Sequence, residues 1–290
     1  MIAYLIRISL IFWFGLVIGV PVQAAPISFS EIPLYLSARA DPNVLFNMSV
    51  EWPTSGNAYN DHIDTGSGGL CPGRPANESG SSIGQCYFAT KKYIGYFDLN
   101  KCYVYSSNMF VPSGPTNSSY QCSGKWSGNF LNWVTMTAID EFRYALTGGH
   151  RITDTATTTV LQRAYIDRTA GSGSFPVKKI SSTATTVGSG TIPGVAPSTV
   201  TPYSVGTLYI RNVQNITTGT SSPIPASPTP GFTVGTNATA TNLQATPLLA
   251  RIKVCDPLQG LEANCKAYGT NYKPEGLIQN NSHRMRFALT

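Results

Sequence analysis

The chain has 290 residues, of which 42% are hydrophobic and 11% aromatic, enough to build one large domain or two small ones. Only 12% are charged, about half the usual share for a soluble protein, while Ser, Thr, Gly and Asn are plentiful, as suits an exported, β-rich surface. The net charge of +6 is spread thinly, with no run of Lys and Arg and no basic helix. That distribution argues against nucleic-acid binding and leaves at most a weak attraction to anionic surfaces.

Residues 1–24 read as a secretory signal peptide. Arg7 supplies the positive region, residues 8–20 the apolar stretch, and Val22-Gln23-Ala24 the small residues before cleavage, so that Ala25 begins the mature protein. The apolar stretch is short for a spanning helix, and Pro21 follows it. No later segment reads as a membrane span. Residues 25–168 read as an N-terminal α/β region. Within it, Asn43 to Phe46 predicts a short buried strand after Pro42. Residues 52–122 form a loop-rich excursion dense in Gly, Asn, Ser and Pro, with strands expected inside 87–105.

Export places six cysteines in an oxidising compartment: Cys71, Cys86, Cys102, Cys122, Cys255 and Cys265. Disulfides are then the default. Six cysteines allow fifteen connectivities; the preferred one pairs nearest neighbours, Cys71 with Cys86, Cys102 with Cys122 and Cys255 with Cys265. A zinc site is the alternative, but no CxxC pair exists.

Residues 127–147 predict the central helix. Ser127 or Asn129 can cap its start, and Gly148 with Gly149 ends it. At helical spacing Leu131, Val134, Ala138, Phe142, Ala145 and Leu146 share an apolar face. The opposite face carries Trp133, Asp140 and Tyr144, a candidate second contact surface, with Trp133 expected to dock the helix on the preceding excursion. A shorter helix is expected over 157–165, capped by Asp154. Residues 169–246 shift to Ser, Thr, Gly and Pro, with no Asp or Glu between Asp167 and Asp256. They predict a β-rich insertion with strands at 176–180 and 207–213 and a partly disordered, proline-rich stretch at 221–230. Residues 247–290 return to the α/β core, with strands at 248–254 and 284–289.

The run WSGNFLNWVTMTAIDEFRYALTGGHR, residues 126–151, resembles the signature of the PilC/PilY family of type IV pilus assembly and tip adhesion proteins. PNVLF at 42–46, YIGYFDLNKCY at 93–103 and CDPLQGLEANCKAYGTNYKPEGLIQNNSHRMRF at 255–287 resemble other family segments in the same order. The match covers most of 42–163 and 254–289. The resemblance implies an α/β fold, an incomplete von Willebrand factor A-like (Rossmann-like) core with long loop-rich and β-rich insertions, forming the front part of a longer protein. It further implies a non-enzymatic, secreted protein of the periplasm, outer membrane or pilus tip. Such a protein works with minor pilins, promotes pilus assembly against retraction and attaches to host or abiotic surfaces. The family's calcium-binding propeller lies beyond Thr290, so its calcium is not carried over.

Residues that carry chemistry are sparse. A von Willebrand A-type cation site needs an Asp-x-Ser-x-Ser run of hard oxygen ligands after the first strand. Here the matching positions are Ser49, Glu51 and Pro53, or Asn47, Ser49 and Glu51 in an earlier register; neither restores the pattern, so the site reads as degenerate and no cofactor is expected. Asp64-Thr65-Gly66-Ser67 spells one aspartic protease signature where the chemistry needs two. Gly80-Ser81-Ser82-Ile83-Gly84 fits a nucleophile elbow, but lacks the flanking strand and helix. His62, His150 and His283 are isolated. Two rival functions are a secreted hydrolase using Asp64 or Ser82, and a free-standing adhesion or carbohydrate-binding module presenting Trp52, Tyr93, Tyr96 and Tyr103.

Overall fold

Apolar residues alternate along strands such as Thr207–Asn212, Gly231–Gly235 and Arg251–Val254, and the computed structural model gathers most of the strands into two main sheets. It describes residues 41–48, 52–59, 83–84, 86–166, 175–187, 190–213 and 230–290. In chain order come β1 (Asn43–Phe46), β2 (Ile83–Gly84), β3 (Lys101–Ser106), β4 (Met109–Pro115) and β5 (Trp126–Ser127). Two helices follow, α1 (Gly128–Thr135) and α2 (Ala138–Thr147). Next are β6 (Arg151–Asp154), β7 (Thr159–Gln162), β8 (Val177–Ser181), β9 (Thr185–Val187), β10 (Gly190–Ile192) and β11 (Thr207–Asn212). The last stretch holds β12 (Gly231–Gly235), β13 (Gln244–Leu249), β14 (Arg251–Val254), β15 (Cys265–Tyr268), β16 (Asn271–Pro274), α3 (Leu277–Asn281) and β17 (Arg286–Leu289). The fold is α/β, mostly strand with few helices.

One sheet runs β5-β3-β4-β14-β7-β6 and the other β13-β12-β11-β8-β2. Every second residue of β8, β11 and β14 points inward, placing Lys178, Ile180, Leu208, Ile210, Ile252 and Val254 in the interior. Aromatic rings join the sheets. Phe110 of β4 stacks on Phe232 of β12 with centroids 6.0 Å apart, and Trp126 meets Phe232 at 5.6 Å. Such ring pairs add about 0.5–1.5 kcal/mol beyond the area they bury.

The expected strand at 248–254 is two strands in different sheets. Ala250 divides them: its N–H donates to Pro230 O at 2.8 Å and its carbonyl accepts from Arg163 N at 3.0 Å. A single residue thus carries the chain from one sheet to the other. β1 pairs in parallel with β17, and Phe46 stacks on Phe287 at 5.9 Å. β1 is not the buried strand expected, since Leu45 is 62% exposed. The expected helix over 157–165 is instead β7, because its four residues are all buried between β6 and β14. Asp154 caps nothing there; it holds Arg151 at 2.9 Å and Lys273 at 2.6 Å.

The predicted central helix is broken. Ser127 caps α1 through a bond from Phe130 N, and Gly148 ends α2 in the left-handed region at φ 79°. Between them Met136 and Thr137 are extended. Ala58 N donates to Met136 O and Ala138 N to Gly56 O, both at 3.0 Å, so segment 56–58 fills the gap as a short bridge. Thr137 restarts the helix through a reciprocal cap with Asp140. The break shifts the helical phase, so the faces drawn for one continuous helix do not survive it.

Candidate interaction surface

The excursion contributes an irregular run, 86–100, whose backbone groups lack a sheet ladder and must be satisfied otherwise. α1 is buried on all sides and supplies two asparagines for the task. Asn129 accepts from Tyr93 N at 2.8 Å and donates to Lys91 O at 2.8 Å. Asn132 accepts from Phe97 N at 3.0 Å and donates to the carbonyls of Tyr93 and Phe97, each at 2.8 Å. Trp133 lies against Tyr87 at 5.2 Å and Tyr93 at 6.5 Å, with Lys178 Nζ 4.5 Å from its ring centroid. The helix therefore docks on the excursion through Trp133.

Asp140 is the second buried hub. Its carboxylate accepts from Thr137 Oγ1 at 2.6 Å and from Ala164 N at 3.0 Å to each oxygen. Burial pushes its pKa up, against the pull of those hydrogen bonds, one from Tyr96, and the charge of Arg163. Arg163 is itself buried; desolvation lowers it to about 10 while Asp140 works to raise it, so it stays charged at neutral pH. It donates to Asn212 Oδ1 at 2.6 Å and Gly231 O at 3.1 Å, and Asn212 donates to Val134 O at 2.9 Å. Next door, Glu141 Oε1 is buried without a hydrogen-bond partner among the described residues. Its carboxyl is pushed up to about 8, first by burial and then by Asp140.

Two disulfides are described, Cys102–Cys122 and Cys255–Cys265. Cys86 is also disulfide-bonded, and Cys71 lies outside the described residues. Glu262 links the two described bridges: it accepts from Cys255 N at 2.7 Å and from Lys101 Nζ at 2.7 Å, next to Cys102. Cys255, Glu262 and Cys265 cluster closely enough to suggest a metal, but both sulfurs are spent in the disulfide, which leaves a single carboxylate.

Between segment 94–100, α2 and the loop closed by Cys255–Cys265 lies an open cavity of about 370 Å³. Ile94, Asp98, Tyr144, Leu261, Glu262 and Asn264 are among the residues that line it. Of the three residues expected to form one contact face, only Tyr144 reaches this cavity. Trp133 and Asp140 are fully buried: α1 is enclosed on all sides, and the break after it turns Asp140 into the core. Phe142, expected in the core, is 50% exposed. Leu131 is buried as expected, and Leu146 is half-buried. Tyr93, Tyr96 and Tyr103 form no exposed binding platform; all three are core residues. Ser49, Glu51, His62, Asp64 and Ser82 lie outside the described residues, as do residues 1–24 and 221–229 and the side chain of Trp52. Asn129, Asn132, Arg163 and Asn212 are structural hubs that the sequence does not announce outright. The signal was there in the first two, since polar residues three apart in a helix otherwise lined with Trp, Phe and Leu must face something polar.

Fold and surroundings define a disulfide-bonded α/β domain whose buried polar groups hold irregular chain in place. Residues 84–222 match a family profile described as the PilY1 homolog small alpha/beta domain. A type IV pilus biogenesis factor PilY1 homolog of Xylella fastidiosa, strain Temecula1, is 32% identical over 300 residues, covering 95% of this chain and 21% of that protein. A second PilY1 homolog of the same organism is 29% identical over 224 residues, covering 68% of this chain and 15% of that protein. The chain thus spans about a fifth or less of the length of these curated relatives. No solved structure matches. The chain belongs to the PilY1 homolog family.

Proposed function

We propose that the chain is an exported, non-enzymatic component of type IV pilus biogenesis. The observation that carries this reading is the alignment of 95% of the chain with a relative named as a pilus biogenesis factor. Within that role we assign it to the pilus tip alongside minor pilins, where it favours assembly over retraction and contributes to attachment to host or abiotic surfaces. The two disulfides among the described residues suit an oxidising compartment. Among the described residues no helix is long and apolar enough to cross a membrane.

The finer fold assignment, a von Willebrand factor A-like core, is part of the same proposal. It draws support from the parallel pairing of β1 with β17, strands far apart in sequence. The pairing of Cys71 with Cys86 and the loss of a cation site at Ser49 and Glu51 are proposed with it. The carbohydrate-module reading loses its basis, since three of its four aromatics are buried.

The test is pilus co-purification. Pili sheared from the source cells should carry peptides of this chain, detected by mass spectrometry. The same fraction from cells lacking the major pilin should not. Equal release of the chain with and without pili would overturn the assignment.

A further inference from the structure

The cavity of about 370 Å³ beside Tyr144 is large enough for a small ligand or an anchoring side chain. Its walls come from distant parts of the chain: segment 94–100, Tyr144 of α2, the loop 261–264, and Pro274 at the end of β16. The rim is apolar and open, with Ile94 56% and Leu261 40% exposed. Leu258, three residues before Leu261 in the same disulfide loop, is 89% exposed. Exposed apolar residues clustered around a concave site mark interaction surfaces more often than isolated ones do.

The charges inside are unevenly matched. Asp98 and Glu262 both line the cavity, and Lys101 is the cation next to them. Lys101 sits 2.7 Å from Glu262 but 3.9 Å from Asp98, beyond hydrogen-bond length. Asp98 Oδ1 accepts from Asn100 N at 2.9 Å; among the described residues its Oδ2 has Lys101 at 3.9 Å. The Tyr144 hydroxyl reports the same imbalance, being raised first by burial and then by Asp98, Glu262 and Glu141. Asn264 Nδ2 also lacks a partner among the described residues, which leaves the cavity further polar capacity.

We propose that this cavity receives an arginine or lysine side chain of a partner protein. The aliphatic stem would lie along Ile94 and Leu261, and the cationic head would bond Asp98. Lysine and arginine are built for such a place, with an apolar stem and a charged tip. An arginine suits it best, since its weakly hydrated guanidinium is favoured at interfaces and is enriched at their energetic centres. The two carboxylates beside one lysine disfavour an acidic anchor, and the loosely held Asp98 oxygen disfavours a purely apolar one. The inference rests on the cavity alone and does not depend on the pilus reading.

The probes are N-acetyl-arginine methylamide and N-acetyl-lysine methylamide, with N-acetyl-citrulline methylamide as the uncharged isostere. Saturation-transfer NMR on the whole chain should show contact with the two cations and little with citrulline. Asp98→Asn keeps the acceptor for Asn100 N and should weaken arginine binding about tenfold or more, the worth of one charge-assisted hydrogen bond. Leu261→Lys, at an exposed position, should abolish binding by supplying a competing cation without unfolding the chain. If Asp98→Asn melts well below wild type, the Leu261→Lys result decides. Equal contact by arginine and citrulline, or undiminished binding in Leu261→Lys, would overturn the proposal. Binding to this chain that disappears in the protein as recovered from its source cells would overturn a separate partner, because the site would then be filled from within.

Discussion

At the residue scale, the largest consequences fall on Asp140 and Glu141, adjacent carboxylates with opposite situations. Asp140 is fully buried and hydrogen-bonded to Thr137 and Ala164. Asp140→Ala would leave those donors unmet and Arg163 without its nearby opposite charge, which should cost about 3–5 kcal/mol. Phe142→Ala, on a half-exposed side chain, should cost about 1 kcal/mol or less. Urea denaturation of both variants checks the order, which is the reverse of what a single continuous helix predicts. Glu141 sets a pH dependence. Its folded pKa of about 8 lies above its ordinary 4.5, so between those values the folded state binds more protons than the unfolded one. Stability from this group is therefore present below about pH 4.5 and declines as pH rises toward 8. Glu141→Gln should flatten that decline and be more stable than wild type at pH 8, with little difference at pH 4. A third case is Gly128, where a built Cβ would stand 2.0 Å from Asp98 O. No rotamer can relieve a clash with backbone, so Gly128→Ala should lower the melting temperature by more than its gain in helix propensity could offset.

At the element scale, the ends of the helical region are local features and could be read in advance. Ser127 caps and Gly148 terminates because a short side-chain oxygen and a missing Cβ act within one turn. The break at Met136–Thr137 could not be read the same way, because its backbone partners are Gly56 and Ala58, about eighty residues earlier. Thr137 and Asp140 do spell a capping pair, but it hides inside an otherwise continuous apolar rhythm. The burial of Asp140 and Arg163 was illegible for a related reason: a charged residue is placed at the surface by default, and only tertiary partners reverse that. Tyr93, Tyr96 and Tyr103 looked like an exposed platform because they sit in a loop-rich run; α1 covers that run. Thr207–Asn212 is legible as a strand from its alternation and Val177–Ser181 less so, since Lys178 is one of its two inward residues, whereas β7 reads as helix because a four-residue buried strand has no period to show. The disulfide loops are elements too. Cys255→Ser with Cys265→Ser should cost roughly 3 kcal/mol in the chain-entropy view, and non-reducing peptide mapping should recover Cys102 with Cys122 and Cys255 with Cys265.

At the scale of the whole molecule, two sheets close over an aromatic interior, and one buried helix holds a long irregular segment against them. This arrangement makes the signature run at 126–151 an architectural device: its Asn, Trp and Asp side chains satisfy and pack chain that has no ladder of its own. The role proposed for the chain in pilus biogenesis requires this domain to be intact. The most direct measurement is the amount of surface pilin sheared from cells lacking the gene, with and without an active retraction motor. On the proposed role, pili fall sharply when the motor works and return when it is disabled, with attachment still impaired. Unchanged surface pilin in the deletion strain with the motor active would contradict it.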